Sequence, residues 1–206
     1  MVTRVEPLHP HEVRVLGALI EKEITTPEYY PLTVNSLQNA CNQKSSRDPV
    51  VQFDEETVEQ ALDLLKNKGL VMRISGAGHR VEKYAHRLGE TLNLGRREMA
   101  LLCVLMLRGP QTVGELRGRT ERVHDFADLD EVESVLEHLE EKREPGPLVA
   151  RVSRGRWLHL LGGAVEVEDS QPVPTRTPIE DRVAALEKDF QRLKQQLEEK
   201  LGERFE

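Results

Sequence analysis

At 206 residues the chain has room for one or two domains with a conventional core. Charged residues make up 32% and hydrophobic ones 38%, with aromatics at 4%, which predicts a soluble, helix-rich protein; no apolar run approaches the roughly 20 residues needed to cross a bilayer. The net charge of −7 argues against a dedicated sequence-independent DNA binder unless cations gather on one face.

The N-terminal stretch MVTRVEPLHPHE has no apolar segment of the kind a secretory signal needs, so a cytoplasmic protein is expected. The first predicted helix covers about Pro10–Glu23. Val13, Leu16, Ala18, Leu19 and Ile20 form its apolar stripe, and Glu12, Arg14, Glu21 and Lys22 are expected to stay wet. The prolines of TTPEYYPL end it. Thr33 is placed to cap a second helix with Val34, Leu37, Ala40 and Cys41 on its apolar face. The polar insertion NQKSSRDPV follows, and then Asp54 caps a third helix whose stripe is Val58, Ala61, Leu62 and Leu65. Lys66, Lys68 and Gly69 supply its stop. Two β-type runs, Leu70–Ser75 and Arg80–Ala85, flank Gly76-Ala77-Gly78 and predict a hairpin. Helix, helix, helix and hairpin in that order is a winged helix-turn-helix pattern.

The pattern recurs. Met99, Leu102, Leu105 and Met106 repeat the first stripe, and Pro110–Leu116 repeats Pro31–Leu37 with Pro, Thr, Val and Leu in register. Val132, Leu136 and Leu139 repeat the third-helix stripe, and Leu148–Ser153 with Arg156–Leu161 supply a second hairpin. A period of about 80 residues marks a domain duplication and not a solenoid array. The expected layout is a first winged-helix domain over 1–90, a second over 91–162, a Pro-rich linker over 163–178 and a C-terminal helix over 179–206. Val183, Leu186, Phe190, Leu193 and Leu197 make a heptad seam in that helix, which predicts a coiled coil and a homodimer. The fold class is thus mainly α with small β wings (α+β): tandem winged helix-turn-helix domains plus a C-terminal coiled-coil helix.

The runs LTVNSLQNACNQKSSRDPV (32–50), EKYAHRL (82–88) and RVAALE (182–187) give the chain a resemblance to the YceH-type family of uncharacterised bacterial proteins. That resemblance implies two winged-helix modules in a bacterial cytoplasm and brings no established activity. In architecture alone the arrangement is also similar to the tandem winged helices of ScpB, the segregation and condensation partner of a kleisin subunit.

The would-be recognition helices are acidic. Residues 54–68 carry five acids against two lysines, and residues 128–142 carry seven acids against one. Base edges are read by Arg, Lys, Asn or Gln beside phosphates that repel acids. Cations concentrate instead in a loop and the hairpins. Lys44 and Arg47 flank Ser45 and Ser46, while Arg73, His79, Arg80, Lys83, His86 and Arg87 lie in or beside the first hairpin. Alternation is expected to put several of these on one side, at a spacing that tracks a phosphate backbone. Solvated edge-strand charge is the competing reading. Arg151, Arg154 and Arg156 mark the second hairpin beside Trp157. Arg47-Asp48-Pro49 is equally readable as a buried ion pair fastening the loop to the third helix.

No catalytic constellation emerges. His9 and His11 flank a proline without a third metal ligand, the glycines at 76 and 78 belong to a turn, and no Ser or Cys sits in a nucleophile motif. Cys41 and Cys103 lie in apolar helical patterns and read as buried free thiols. No catalytic residue, cofactor, metal or membrane is expected. The first reading is a regulatory or chromosome-associated DNA-binding protein using Lys44, Arg47, Arg73, His79, Arg80, Lys83 and Arg87. The alternative is a protein-interaction adaptor whose acidic helices engage a partner.

Overall fold

Helix α1 (Pro10–Thr25) is wrapped on several sides. Every residue from Glu12 to Ile20 is buried, because α2 (Val34–Cys41), α3 (Glu55–Asn67) and α5 (Arg96–Arg108) all pack against it. The computed structural model describes residues 6–75, 81–142, 144 and 146–163. Its remaining elements are β1 (Val71–Ile74), β2 (Lys83–His86), α4 (Leu88–Leu92), β3 (Gln111–Thr112), α6 (Val113–Thr120), α7 (Leu129–Glu141), β4 (Val149–Val152) and β5 (Arg156–His159). Seven helices and two small antiparallel sheets make the described residues a mainly helical α+β structure. No described helix is long and apolar enough to cross a membrane.

The helix starts follow local chemistry, and the two halves use the same residue types. Thr33 and Thr112 accept from the amides of Ser36 and Glu115, opening α2 and α6. Asp54 and Asp128 accept from the amides of Thr57 and Glu131, opening α3 and α7. His9 caps α1 while Glu12 reaches back to its amide at 2.7 Å, so this histidine serves a helix end. Gly69 ends α3 at φ +72°, a left-handed conformation costly for other residues.

The hairpins also correspond. β5 lies between β3 and β4, with Gln111 opposite Trp157. At the equivalent place in the first half, Leu32 and Tyr84 exchange both backbone hydrogen bonds, 3.1 and 2.7 Å. One apolar core runs through both halves. Its centre is the α1–α5 contact, where Gly17 lets the helices approach so closely that an added Cβ would lie 3.0 Å from Leu107 Cδ2 and 3.2 Å from Met106 Cβ. In α5 every residue from Met99 to Leu107 is buried.

Several expectations are corrected. Glu12 and Arg14, read as wet, are 2% and 5% exposed. Arg14 donates to the carbonyls of Cys41 and Pro49, and Glu12 pairs with Lys68 at 2.8 Å, so both charges are compensated by elements packed over α1. The first helix runs two residues further than predicted, to Thr25. The short α4, which buries Leu88 and Leu92, and the two-residue β3 were not anticipated. The C-terminal helix expected over 179–206, with Val183, Leu186, Phe190, Leu193 and Leu197, lies outside the described residues, as do 164–178 of the linker and the candidates His79 and Arg80.

Candidate nucleic-acid interface

The loop between α2 and α3 is built around Arg47. Its guanidinium donates to the Ala40 carbonyl at 2.8 and 3.2 Å and meets Glu21 in two contacts, 2.6 and 3.0 Å. Asn42 clamps Phe53 by accepting from its amide and donating to its carbonyl, both at 2.8 Å. The Asp48 amide donates to the Leu107 carbonyl at 2.9 Å, joining the loop to α5. The insertion is therefore an ordered structural loop. Two corrections follow. The Arg47 side chain is 0% exposed and does not present itself to a phosphate. Its acid is Glu21 on α1 and not the adjacent Asp48. No local spacing signals a partner 26 residues away. Lys44, in contrast, is exposed.

The first hairpin pairs Arg73 with Tyr84 and Ile74 with Lys83. Directly opposed residues share a sheet face, so Arg73 and Lys83 project from opposite faces. Arg73 and Lys83 are therefore not both among the several cations expected to share one side. Arg73 meets Glu82 at 2.7 Å and Arg87 meets Glu90 at 3.1 Å, with all four side chains about half exposed or more. Such exposed pairs contribute about 0–1 kcal/mol, so a phosphate can exchange with either carboxylate. Lys83 is half-buried and has no carboxylate partner among the described residues.

The acidic faces are real surfaces. Glu55, Glu56, Glu59 and Asp63 on α3 are exposed, as are Asp128, Asp130, Glu137 and Glu141 in and beside α7. Arg151 of β4 pairs with Glu133 at 3.0 Å and lies over the buried Trp157 ring at 4.7 Å. Arg156 pairs with Glu115 at 3.0 Å. The second hairpin thus directs these two cations onto acids of its own half.

Sequence reasoning missed one concentration of positive charge. Lys22 of α1, Lys44 of the loop, Arg108 at the end of α5, Arg119 of α6 and Arg122 just beyond it line a cleft of about 340 Å³ between the halves. Burial, with repulsion from Arg119 and Arg47, pushes the Arg108 guanidinium below its usual value. The cations span a hundred residues of sequence, and only their positions at or near helix ends are visible locally.

Fold and surface together define an α+β protein built from a repeated helix–helix–helix–hairpin unit, acidic on its exposed third helices and basic in the cleft between the copies. The chain belongs to the family described as protein of unknown function, DUF480, whose model matches residues 8–156. The UPF0502 protein of Solibacter usitatus is 55% identical over 193 residues, covering 91% of this chain and 93% of its own. That of Opitutus terrae is 52% identical over 189 residues, covering 89% and 81%. That of Pelobacter propionicus is 48% identical over 203 residues, covering 92% and 91%.

Proposed function

We propose that the chain is a tandem winged-helix protein, with modules over 1–90 and 91–162, that binds duplex DNA without catalysis in a regulatory or chromosome-associated role. The observation that carries this reading is the repeated helix–helix–helix–hairpin unit, with the same cap types and an equivalent strand-to-hairpin pairing in each half. Lys44, Arg73, Lys83 and Arg87 make the phosphate contacts, joined by His79 and Arg80. Arg47 holds the loop that carries Lys44. A hairpin with cations on opposite faces suits insertion into a minor groove, where each face meets the phosphates of one strand. The acidic α3 limits base readout, because its carboxylates are repelled by the backbone. The heptad of Val183, Leu186, Phe190, Leu193 and Leu197 supports self-association, and a cytoplasmic setting follows from the same reading.

A protein-interaction adaptor is the second reading. It is favoured by Leu64 and Leu129, 47% and 48% exposed on the two acidic helices, and by Met72 and Val81, 44% and 59% exposed in and beside the first hairpin.

The test is fluorescence anisotropy with a pool of random duplexes at low and near-physiological salt, with bound duplexes recovered and sequenced. Each phosphate contact contributes about 0.9 to the slope of log K against log salt. The Arg73→Ala/Lys83→Ala variant is therefore expected to bind more weakly with a slope smaller by about 2. Unchanged affinity in that variant overturns the hairpin contact. No binding at low salt shifts the weight to the adaptor.

A further inference from the structure

The cleft between the halves is unusual in a chain of net charge −7. Among the described residues, five cations (Lys22, Lys44, Arg108, Arg119 and Arg122) line it, with Glu21 the one carboxylate. Glu21 is already engaged by both guanidinium Nη atoms of Arg47 and lies 3.7 Å from Lys22. Arg119 approaches Glu115 outside the cleft at 3.5 Å, but that carboxylate also binds Arg156 at 3.0 Å and caps α6. Among the described residues, Lys44, Arg108 and Arg122 have no carboxylate within ion-pair distance. The lining also includes Val104, Leu107 and Val123, apolar surface that strengthens electrostatic attraction nearby.

Helix dipoles explain part of this pattern. Lys22, Arg108 and Arg119 occupy the last turns of α1, α5 and α6, where a cation is favourable. They do not explain Lys44 and Arg122, which lie outside helices, nor the convergence of all five on one concavity. Bringing like charges together raises the free energy of the fold, and a bound anion relieves it.

We infer that this cleft is a binding site for a small, multiply charged phosphate compound. The volume falls at the lower end of the range for small-molecule sites. Among the described residues no aromatic side chain lines the walls to stack on a base, so recognition falls on the phosphate groups themselves. Arginine forks and the Lys44 ammonium supply charge-assisted donors, and the hydroxyls of Ser45 and Ser46 at the rim add neutral ones. The ligand bridges the loop of the first half to α5 and α6 of the second, which makes it an effector of their packing. The site shares Lys44 with the proposed DNA contact and is otherwise separate from the first hairpin.

The test is titration of the full chain with inorganic pyrophosphate at low salt, by calorimetry and by thermal midpoint, with sulfate at matched ionic strength as control. One saturable site per chain and a raised midpoint are expected. Arg119 and Arg122 are exposed, so Arg119→Ala/Arg122→Ala is expected to fold and, having lost two charge-assisted donors, to bind pyrophosphate at least about tenfold more weakly. Arg73→Ala/Lys83→Ala is expected to bind pyrophosphate as the parent does, which separates this site from the hairpin contact. No saturable binding by either readout, or equal affinity in the cleft variant, overturns the inference. So does loss of duplex affinity in the cleft variant when the parent never binds pyrophosphate, since the cleft then belongs to a DNA track.

Discussion

Arg47 and Glu21 meet through two contacts, 2.6 and 3.0 Å, with the arginine side chain fully covered and the glutamate nearly so. This pair closes the α2–α3 loop onto α1, and the same guanidinium satisfies the Ala40 carbonyl. Arg47→Ala removes all of these contacts at once and leaves the mostly covered Glu21 carboxylate with Lys22 alone, 3.7 Å away. A loss of roughly 3–5 kcal/mol is expected in chemical denaturation. Arg47→Met with Glu21→Leu is expected to recover most of that loss, since neither charge is then stranded. A phosphate-binding role for Arg47 gives the opposite pattern, with stability unchanged and duplex affinity reduced.

Gly17 sets the distance between the two central helices. At Gly17→Ala the new methyl meets Leu107 and Met106 tightly, while replacing a mid-helix glycine gains about 1 kcal/mol of helix propensity. The two effects oppose, and a change within about 1 kcal/mol is expected. Gly17→Val adds branches that cannot fit and is expected to destabilise by about 2–3 kcal/mol. If both variants unfold at the parent's denaturant midpoint, the close approach is not a constraint.

His159 gives a pH signature. Burial pushes its imidazole down from 6.5 to about 4, and its Nδ1 is shut off from solvent without a partner among the described residues. The neutral form is favoured in the fold, so the unfolded chain binds the extra proton between those two values. Its contribution is complete above about pH 6.5, declines as pH falls toward 4, and is constant below. Because the residue is only partly covered overall, a swing of about 1–2 kcal/mol is expected. His159→Phe removes this titration. The stability of the variant relative to the parent is therefore expected to improve between pH 7.5 and pH 5. A difference independent of pH speaks against it.

The helix caps were legible in the sequence. Thr33 and Asp54 cap the helices they were expected to cap, and Thr112 and Asp128 do the same at the repeated positions, because a cap depends on a side chain and an amide three residues away. Helix periodicity and the Gly69 stop were readable for the same reason. The duplicated order survived because it is written twice in the same residue types.

What the sequence did not decide depends on which elements pack together. Glu12 and Arg14 read as surface charge on a one-sided helix, and only the packing of α2, α3 and α5 around α1 buries them. Arg47 looked like a loop cation until its acid proved to lie on α1. Alternation counts residues along one strand, whereas the facing of Arg73 and Lys83 depends on the register between two. The cleft is the extreme case, uniting Lys22 with Arg122. By itself the sequence determined the longer described helices, the residues that start them and their repeated order, since those rest on forces acting within a few residues, whereas the short α4 and β3 were not legible in it. Tertiary structure alone decided which charges are buried, which are paired and which converge, since electrostatic and packing energies depend on distance in space and not along the chain.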